Sequence, residues 1–191
     1  MADAHVAAAR VSHVSAGGDA KVMVRVWDPL VRIFHWFVAT GVILNLFILE
    51  PGKYWHRTTG YAVAIAFALR FLWGFIGPCH ARWSDFLPWP SRLWRYLCDL
   101  ARGQDARHLG HNPLGGLAIL AFFLLAAALA STGWLLRTDA FFGSKTLEEV
   151  HELFGNGLMV LMFLHVAGVI VESWRHRENL VLAMVTGRKR A

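Results

Sequence analysis

Four histidines occupy positions from which they could hold a metal-centred cofactor at two separate depths. His35 stands near the start of one apolar segment, His56 opens a second, and a single later segment carries both His151 and His165. The last pair is the sharpest signal. Fourteen residues of α-helix turn through about 1400°, roughly 40° short of four full turns, and rise about 21 Å. The two imidazoles therefore share one helix face at two levels. Ionisable side chains at such depth in hydrocarbon are costly, so they read first as a functional site. A tetrahedral zinc site needs four ligands converging at one depth, whereas these ligands come in twos. Haem needs only two axial side chains on opposite sides of its iron, and helix bundles build such sites between facing helices. Gly60 and Gly155 each stand one turn beyond a histidine, His56 and His151, while Ala39 follows His35 and Gly168 lies near His165. Small residues there would let a flat macrocycle approach the backbone. They would equally serve close helix contact in a membrane.

The elements that must position these histidines are membrane spans. With 56% hydrophobic residues and nine tryptophans in 191 positions, the chain is too apolar for an ordinary soluble domain. The formal charge of +6 encodes orientation in such a protein and does not point to nucleic acid. Spans are expected at about 30–49, 56–76, 113–136 and 151–174, bounded by Glu50-Pro51-Gly52, Gly77-Pro78, Asn112-Pro113 and Glu148-Glu149. The fold class is thus an all-α integral membrane protein, a four-helix bundle. Residues 1–21 are polar and Ala/Gly-rich, lack an uninterrupted signal-peptide core, and are expected to be mobile. Residues 22–191 form the membrane domain. Lys21 to Trp27 reads as a short strand or extended lead-in, and Asp28-Pro29 as the cap and first turn of the first span.

Basic residues orient the bundle. Fourteen lie before or at the start of the first span, between the second and third, and after the fourth; only Lys53, Arg57, Arg137 and Lys145 lie on the other side, with Arg70 inside the second span. Both termini are therefore expected in the cytoplasm. The same topology pairs the histidines. His35 near the cytoplasmic start of the first span comes level with His165, and His56 at the outer start of the second comes level with His151.

The connection 77–111 is too long for a turn. Its middle, 91–102, sets Leu93, Trp94, Leu97, Leu100 and Ala101 on one face and Arg92, Arg95, Asp99 and Arg102 on another. A cytoplasmic amphipathic helix in the headgroups is expected there, between the second and third spans. Cys79 and Cys98 fall in this reducing compartment, and no Cys-x-x-Cys-His occurs, which argues against a disulfide and against covalent haem. Arg70, six residues short of the end of its span, is expected to pair with a haem propionate or a quinone carbonyl, with snorkelling as the competing account. Arg32 is a weaker candidate of the same kind, and Asn45 is expected to make an interhelical hydrogen bond. His5, His13, His80, His108, His111 and His176 lie in polar segments or at interfaces, with His111 placed to approach the cytoplasmic haem edge. Trp27, Trp36, Trp73, Trp94 and Trp174 on one side and Trp55 and Trp134 on the other read as interfacial belts; Trp73 and Trp134 could also line a quinone pocket.

Several stretches together resemble the bacterial cytochrome b561 family. These are Val26-Trp27-Asp28-Pro29-Leu30-Val31-Arg32-Ile33-Phe34-His35-Trp36, Arg70-Phe71-Leu72-Trp73-Gly74, Gly110-His111-Asn112-Pro113, His151-Glu152 with Gly155-Asn156, and Arg177-Glu178-Asn179-Leu180 through Thr186-Gly187-Arg188-Lys189-Arg190. That superfamily includes the b-type cytochrome subunits of nickel-iron hydrogenases. The resemblance implies a bacterial inner-membrane, multi-pass cytochrome with two non-covalent haem b groups, His35 with His165 holding one and His56 with His151 the other. It implies electron transfer between quinone or quinol and a redox partner, either a c-type cytochrome or a hydrogenase or dehydrogenase subunit. Membrane lipid surrounds such a protein, nucleic acid is not a partner, and a homodimer stays open. Two other function classes also stay open: a stand-alone quinone-linked superoxide oxidoreductase, and a haem-free metal or proton transporter built on intramembrane histidines.

Overall fold

A computed structural model describes residues 23–78, 81–87, 89–104 and 110–190. The expected mobile stretch 1–21, with His5 and His13, lies outside the described residues, as do Cys79, His80 and His108. In chain order the elements are β1 (Met23–Arg25), α1 (Pro29–Phe47), α2 (Tyr54–Ile76), α3 (Trp83–Phe86), α4 (Pro90–Ala101), α5 (Pro113–Leu135), α6 (Lys145–Arg175), α7 (Leu180–Thr186) and β2 (Arg188–Arg190). The four long helices α1, α2, α5 and α6 are each long and apolar enough to cross a membrane.

Local chemistry explains where they begin. Asp28 accepts from the backbone N–H groups of Leu30 (2.8 Å) and Val31 (3.0 Å), with Pro29 in the first turn of α1. Asn112 caps α5 through Gly115 N–H at 2.6 Å. The start of α6 differs from the expected 151. The helix begins six residues earlier at Lys145, capped by Ser144, which accepts from Leu147 N–H at 3.4 Å, and Glu148 sits in the first turn, where an acidic group suits the helix dipole. Thirty-one residues span about 46 Å, against a hydrocarbon core of about 30 Å, so α6 extends past the membrane.

α1 packs on α2, α2 on α5 and α5 on α6. The core sits at mid-height, where Val42, Val63, Phe67 and Leu158 are buried together with Phe34, Phe123 and Met162 packed around them. The outward faces carry exposed apolar side chains such as Ile65, Leu124 and Leu164. In water that surface would be a liability, whereas in lipid it is a solvated face, because every spanning backbone group is satisfied within its helix.

One end of the bundle is tied by its termini. β1 and β2 pair antiparallel with Met23 opposite Arg190 and Arg25 opposite Arg188, and Val26 and Trp27 N–H both donate to Gly187 O, at 2.9 and 3.2 Å. The Arg32 guanidinium donates to the Val185 carbonyl. Trp27 is only 6% exposed: its ring lies 4.6 Å from that of His111, and Lys189 Nζ stands 5.7 Å from its centre. It is therefore a core residue of this clasp and no member of an interfacial belt. The extended segment needed a backbone partner, and the C-terminal strand supplies one. Trp36, Trp55, Trp94, Trp134 and Trp174 are exposed, as belt residues should be. Helix α4 lies where the amphipathic helix was expected, burying Tyr96 against the bundle and turning Trp94 and Leu97 outward.

Gly187 closes α7 in the left-handed region (φ +79°), and a Cβ there would stand 2.8 Å from Trp27 O. Gly187→Ala should therefore loosen the clasp and cost about 1–3 kcal/mol, read by equilibrium unfolding in mixed micelles; wild-type stability would mean that the clasp adds little to the fold.

Candidate functional site

The two histidine levels of α6 meet two different helices. The His151 ring lies 6.3 Å from the His56 ring of α2, at an interplanar angle of 70°. The His165 ring lies 6.3 Å from the His35 ring of α1, at 51°. The structure thus brings together the pairs that the sequence matched by topology. α6 runs along α5, whereas the α1–α2 hairpin reaches it at these histidines. Between the two levels stands Leu158, seven residues from His151 and seven from His165, inside the buried core. Among the described residues no group of three or more His, Cys, Asp or Glu side chains converges as a metal site.

The far pair is held in orientation by α5. Thr132 Oγ1 stands 2.7 Å from His151 Nδ1, and the same hydroxyl donates to the Ala128 carbonyl at 2.7 Å. With its proton committed to that carbonyl, the oxygen can only accept from Nδ1–H, so His151 keeps a lone pair on Nε2 for a metal or a proton. Gly133 makes room for the ring, since a Cβ there would lie 3.2 Å from His151 Cε1. Sequence reasoning passed over both residues, although Ser131-Thr132-Gly133 is a polar, small run inside a very apolar span. His56 is half-buried and its Nδ1 is buried without a hydrogen-bond partner, as is Asn45 Oδ1 beside it on α1. The Asn45 amide faces Gly60 of α2, where a Cβ would lie 3.4 Å from Nδ2, and its backbone hydrogen-bonds His56.

The pair nearer the termini is flanked by aromatic rings, Trp36 beside His35 and Phe122 beside His165. His35 is half-buried with Nδ1 unpartnered. His165 is exposed and packs edge-on to Phe122 of α5 at 5.7 Å. A Cβ at Gly155 or Gly168 would meet nothing within 4 Å, so the face of α6 that carries the histidines is unobstructed one turn beyond His151 and beside His165.

Arg70 does not snorkel. It is 4% exposed, Nη2 donates to the Ala81 carbonyl at 3.0 Å, and Nη1 is buried without a partner. Trp73, one turn on, points Nε1 at Asp28 Oδ2 across 3.5 Å, which ties α2 to the cap of α1. Arg32 is engaged by the clasp, and His111 lies against Trp27. A further polar group, absent from the sequence-based candidates, joins α4, α5 and α6: Tyr96, Asn112, Glu172 and His176. Its one sequence signal is an acid in the last turn of a helix, the end where a negative charge is least favourable.

Comparison with known proteins adds a name to this arrangement. A family model described as prokaryotic cytochrome b561 matches residues 26–187. A probable Ni/Fe-hydrogenase B-type cytochrome subunit of Azotobacter vinelandii is 28% identical, covering 89% of this chain and 92% of that protein. A similarly named protein of Rhodobacter capsulatus is 23% identical over 88% and 82%, and one of Escherichia coli K12 is 24% identical over 60% of each. No solved structure matches the chain.

Proposed function

The chain belongs to the prokaryotic cytochrome b561 family, and from that premise we propose a di-haem b-type cytochrome that carries electrons across a bacterial inner membrane between the quinone pool and a redox partner. The observation that carries this reading is the equal separation of the two histidine pairs. Two imidazoles this close on facing helices would leave room for one metal atom to be held between them. Both pairs stand at 6.3 Å. The unobstructed backbone at Gly155 and Gly168 suits a flat macrocycle, whereas Gly60 receives Asn45 of α1 and serves helix contact.

In this reading His35 and His165 hold one haem and His56 and His151 the other. Haem, when bound, supplies one-electron exchange at its iron, at two levels about 21 Å apart along α6. The chain does the rest. Thr132 fixes the tautomer of His151, as partners of metal-bound histidines commonly do. Val42, Val63, Phe67 and Leu158 exclude water between the levels. Arg70 keeps a buried positive charge with one donor free, suited to a carboxylate such as a haem propionate.

The excess of basic residues at the end bearing both termini supports a cytoplasmic position for that end. α4, with Trp94 and Leu97 outward, then lies in the cytoplasmic headgroups. The relatives named as hydrogenase subunits support a hydrogenase as the partner, meeting the opposite face near His56 and His151.

Pyridine haemochrome assay against protein mass should give about two haems per chain under this bis-histidine ligation. His56→Ala and His151→Ala should erase one spectral component, and His35→Ala and His165→Ala the other; mixed pairing, or one haem per chain, would sink the assignment. Thr132→Val, which keeps the side-chain volume, should weaken retention of the outer haem about 10–100-fold in transfer to apomyoglobin, and unchanged retention would reduce Thr132 to a packing residue. Arg70→Leu removes a positive charge that favours the reduced state and should lower the midpoint potential of the His35/His165 haem. A shift confined to the other haem would refute that placement.

A further inference from the structure

Glu172 is in the wrong place for a structural carboxylate. It sits in the last turn of α6, where the helix dipole presents its negative end and an acidic group is disfavoured. Three donors from three elements compensate for this. Tyr96 Oη of α4 donates to Oε1 at 3.0 Å, Asn112 Nδ2, at the head of α5, donates to the same oxygen at 2.5 Å, and His176 Nε2 lies 2.9 Å from Oε2. Asn112 Nδ2 also reaches Tyr96 Oη at 2.9 Å, closing the ring of contacts. Glu172 and His176 nevertheless keep 22% and 21% of their side-chain surface exposed. The group is fixed on one side and wet on the other.

Its position relative to the histidines follows from helix geometry. Glu172 is seven residues beyond His165, hence about 10 Å further along the axis and within about 20° of the same face. It is thus aligned with the cytoplasmic histidine pair, between it and the water at that end. Quinone reduction needs two electrons and two protons per quinol formed, and the reverse reaction releases the same; electrons can come along the bundle, but the protons must come from water through a titratable group.

We propose that the Glu172–His176 pair, held by Tyr96 and Asn112, exchanges protons between the cytoplasm and a quinone that reacts at the cytoplasmic haem level. The inference rests on the quinone-linked reading above and adds to it the end of the bundle and the proton carrier. In the reducing direction Glu172 gives its proton to a quinone oxygen and is reprotonated through His176 from water. Each of the two protons that enter quinol follows this route, one for each electron accepted. In the oxidising direction the proton passes from the quinol hydroxyl to the carboxylate and out. At the outer pair the hydrogen-bond partner of His151 is the uncharged Thr132 hydroxyl, which suits an end where electrons alone are exchanged.

The test uses the full chain, haem-loaded, in proteoliposomes, with decylubiquinone as oxidant of the reduced protein. Glu172→Gln keeps an acceptor for Tyr96 and Asn112 but cannot release a proton. It should leave both haem spectra in place, slow haem oxidation by decylubiquinone about a hundredfold, and remove a carboxyl band from the redox-induced infrared difference spectrum. Glu172→Asp should recover part of the rate, and His176→Gln should slow it with the infrared band retained. Wild-type rates in Glu172→Gln with an unchanged infrared spectrum would overturn the proposal and leave the quinone reading standing. Loss of haem in Glu172→Gln together with a wild-type rate in His176→Gln would overturn it in favour of a purely structural tie. Two haems in the wild type that decylubiquinone fails to oxidise would refute the quinone reading itself, and this proposal with it.

Discussion

An imidazole inside a bilayer has no water to satisfy it, and that single cost organises this protein. Each of the four histidines must face a partner, and a helix offers only one face at each depth. The fourteen-residue interval on α6 fixes two depths at once. α1 and α2 must then each contribute a histidine at one depth and run in opposite directions, which the turn at Glu50-Pro51-Gly52 provides. α5 carries no histidine in its span. Its part is to support α6, through Thr132 and Gly133 at one level and Phe122 at the other. The buried core occupies the height between the levels, so the same contacts that hold the bundle together keep the two pairs apart.

The histidine pairs were legible from sequence because two independent features agree: helical geometry gives the levels on α6, and the uneven distribution of basic residues gives the direction of each span. The spans were legible for the same reason, since apolar runs of this length have few alternatives. What escaped was chiefly non-local. The clasp joins residues 23–25 to residues 188–190, and nothing in Arg188-Lys189-Arg190 announces a strand; it is one because Met23 to Trp27 offers an unpaired backbone. Trp27 looked interfacial from its neighbours, and only the partnering of both chain ends buries it. Arg70 was weighed between a propionate and the headgroups, whereas the carbonyl that holds it comes from Ala81, in the connection beyond the span. The early start of α6 turned on Ser144, an N-cap that follows directly on the turn at Phe142-Gly143.

The two ends of the bundle are built from different chemistry. At His56 and His151 the helix packing is set by uncharged groups: the Thr132 hydroxyl on His151, Asn45 against Gly60, and Gly133 beneath the His151 ring. A hydroxyl orients an imidazole but does not titrate. Around His35 and His165 the neighbourhood widens towards the termini into a zone of ionisable side chains: Arg70 buried at the foot of α2, Arg32 locked to α7, and Glu172 with His176 at the foot of α6. These groups are fixed by carbonyls and hydrogen bonds from loops and short helices, the parts of the chain that apolar periodicity does not describe.

This asymmetry follows from what a membrane permits. Electrons can pass through a dry interior between fixed sites, so the levels on α6 need only spacing and shielding. Protons cannot cross hydrocarbon without a chain of polar groups, and a helix end that meets water is where such a chain is shortest. Placing Glu172 at the unfavourable end of the α6 dipole gives up helix stability that a lysine or arginine would have supplied, and the chain then draws Tyr96 and Asn112 from two other elements to hold it. A carboxylate retained against its own helix, bonded on both oxygens and still partly exposed, is better explained by proton exchange than by packing, because packing alone would have been served by a residue with no charge to offset.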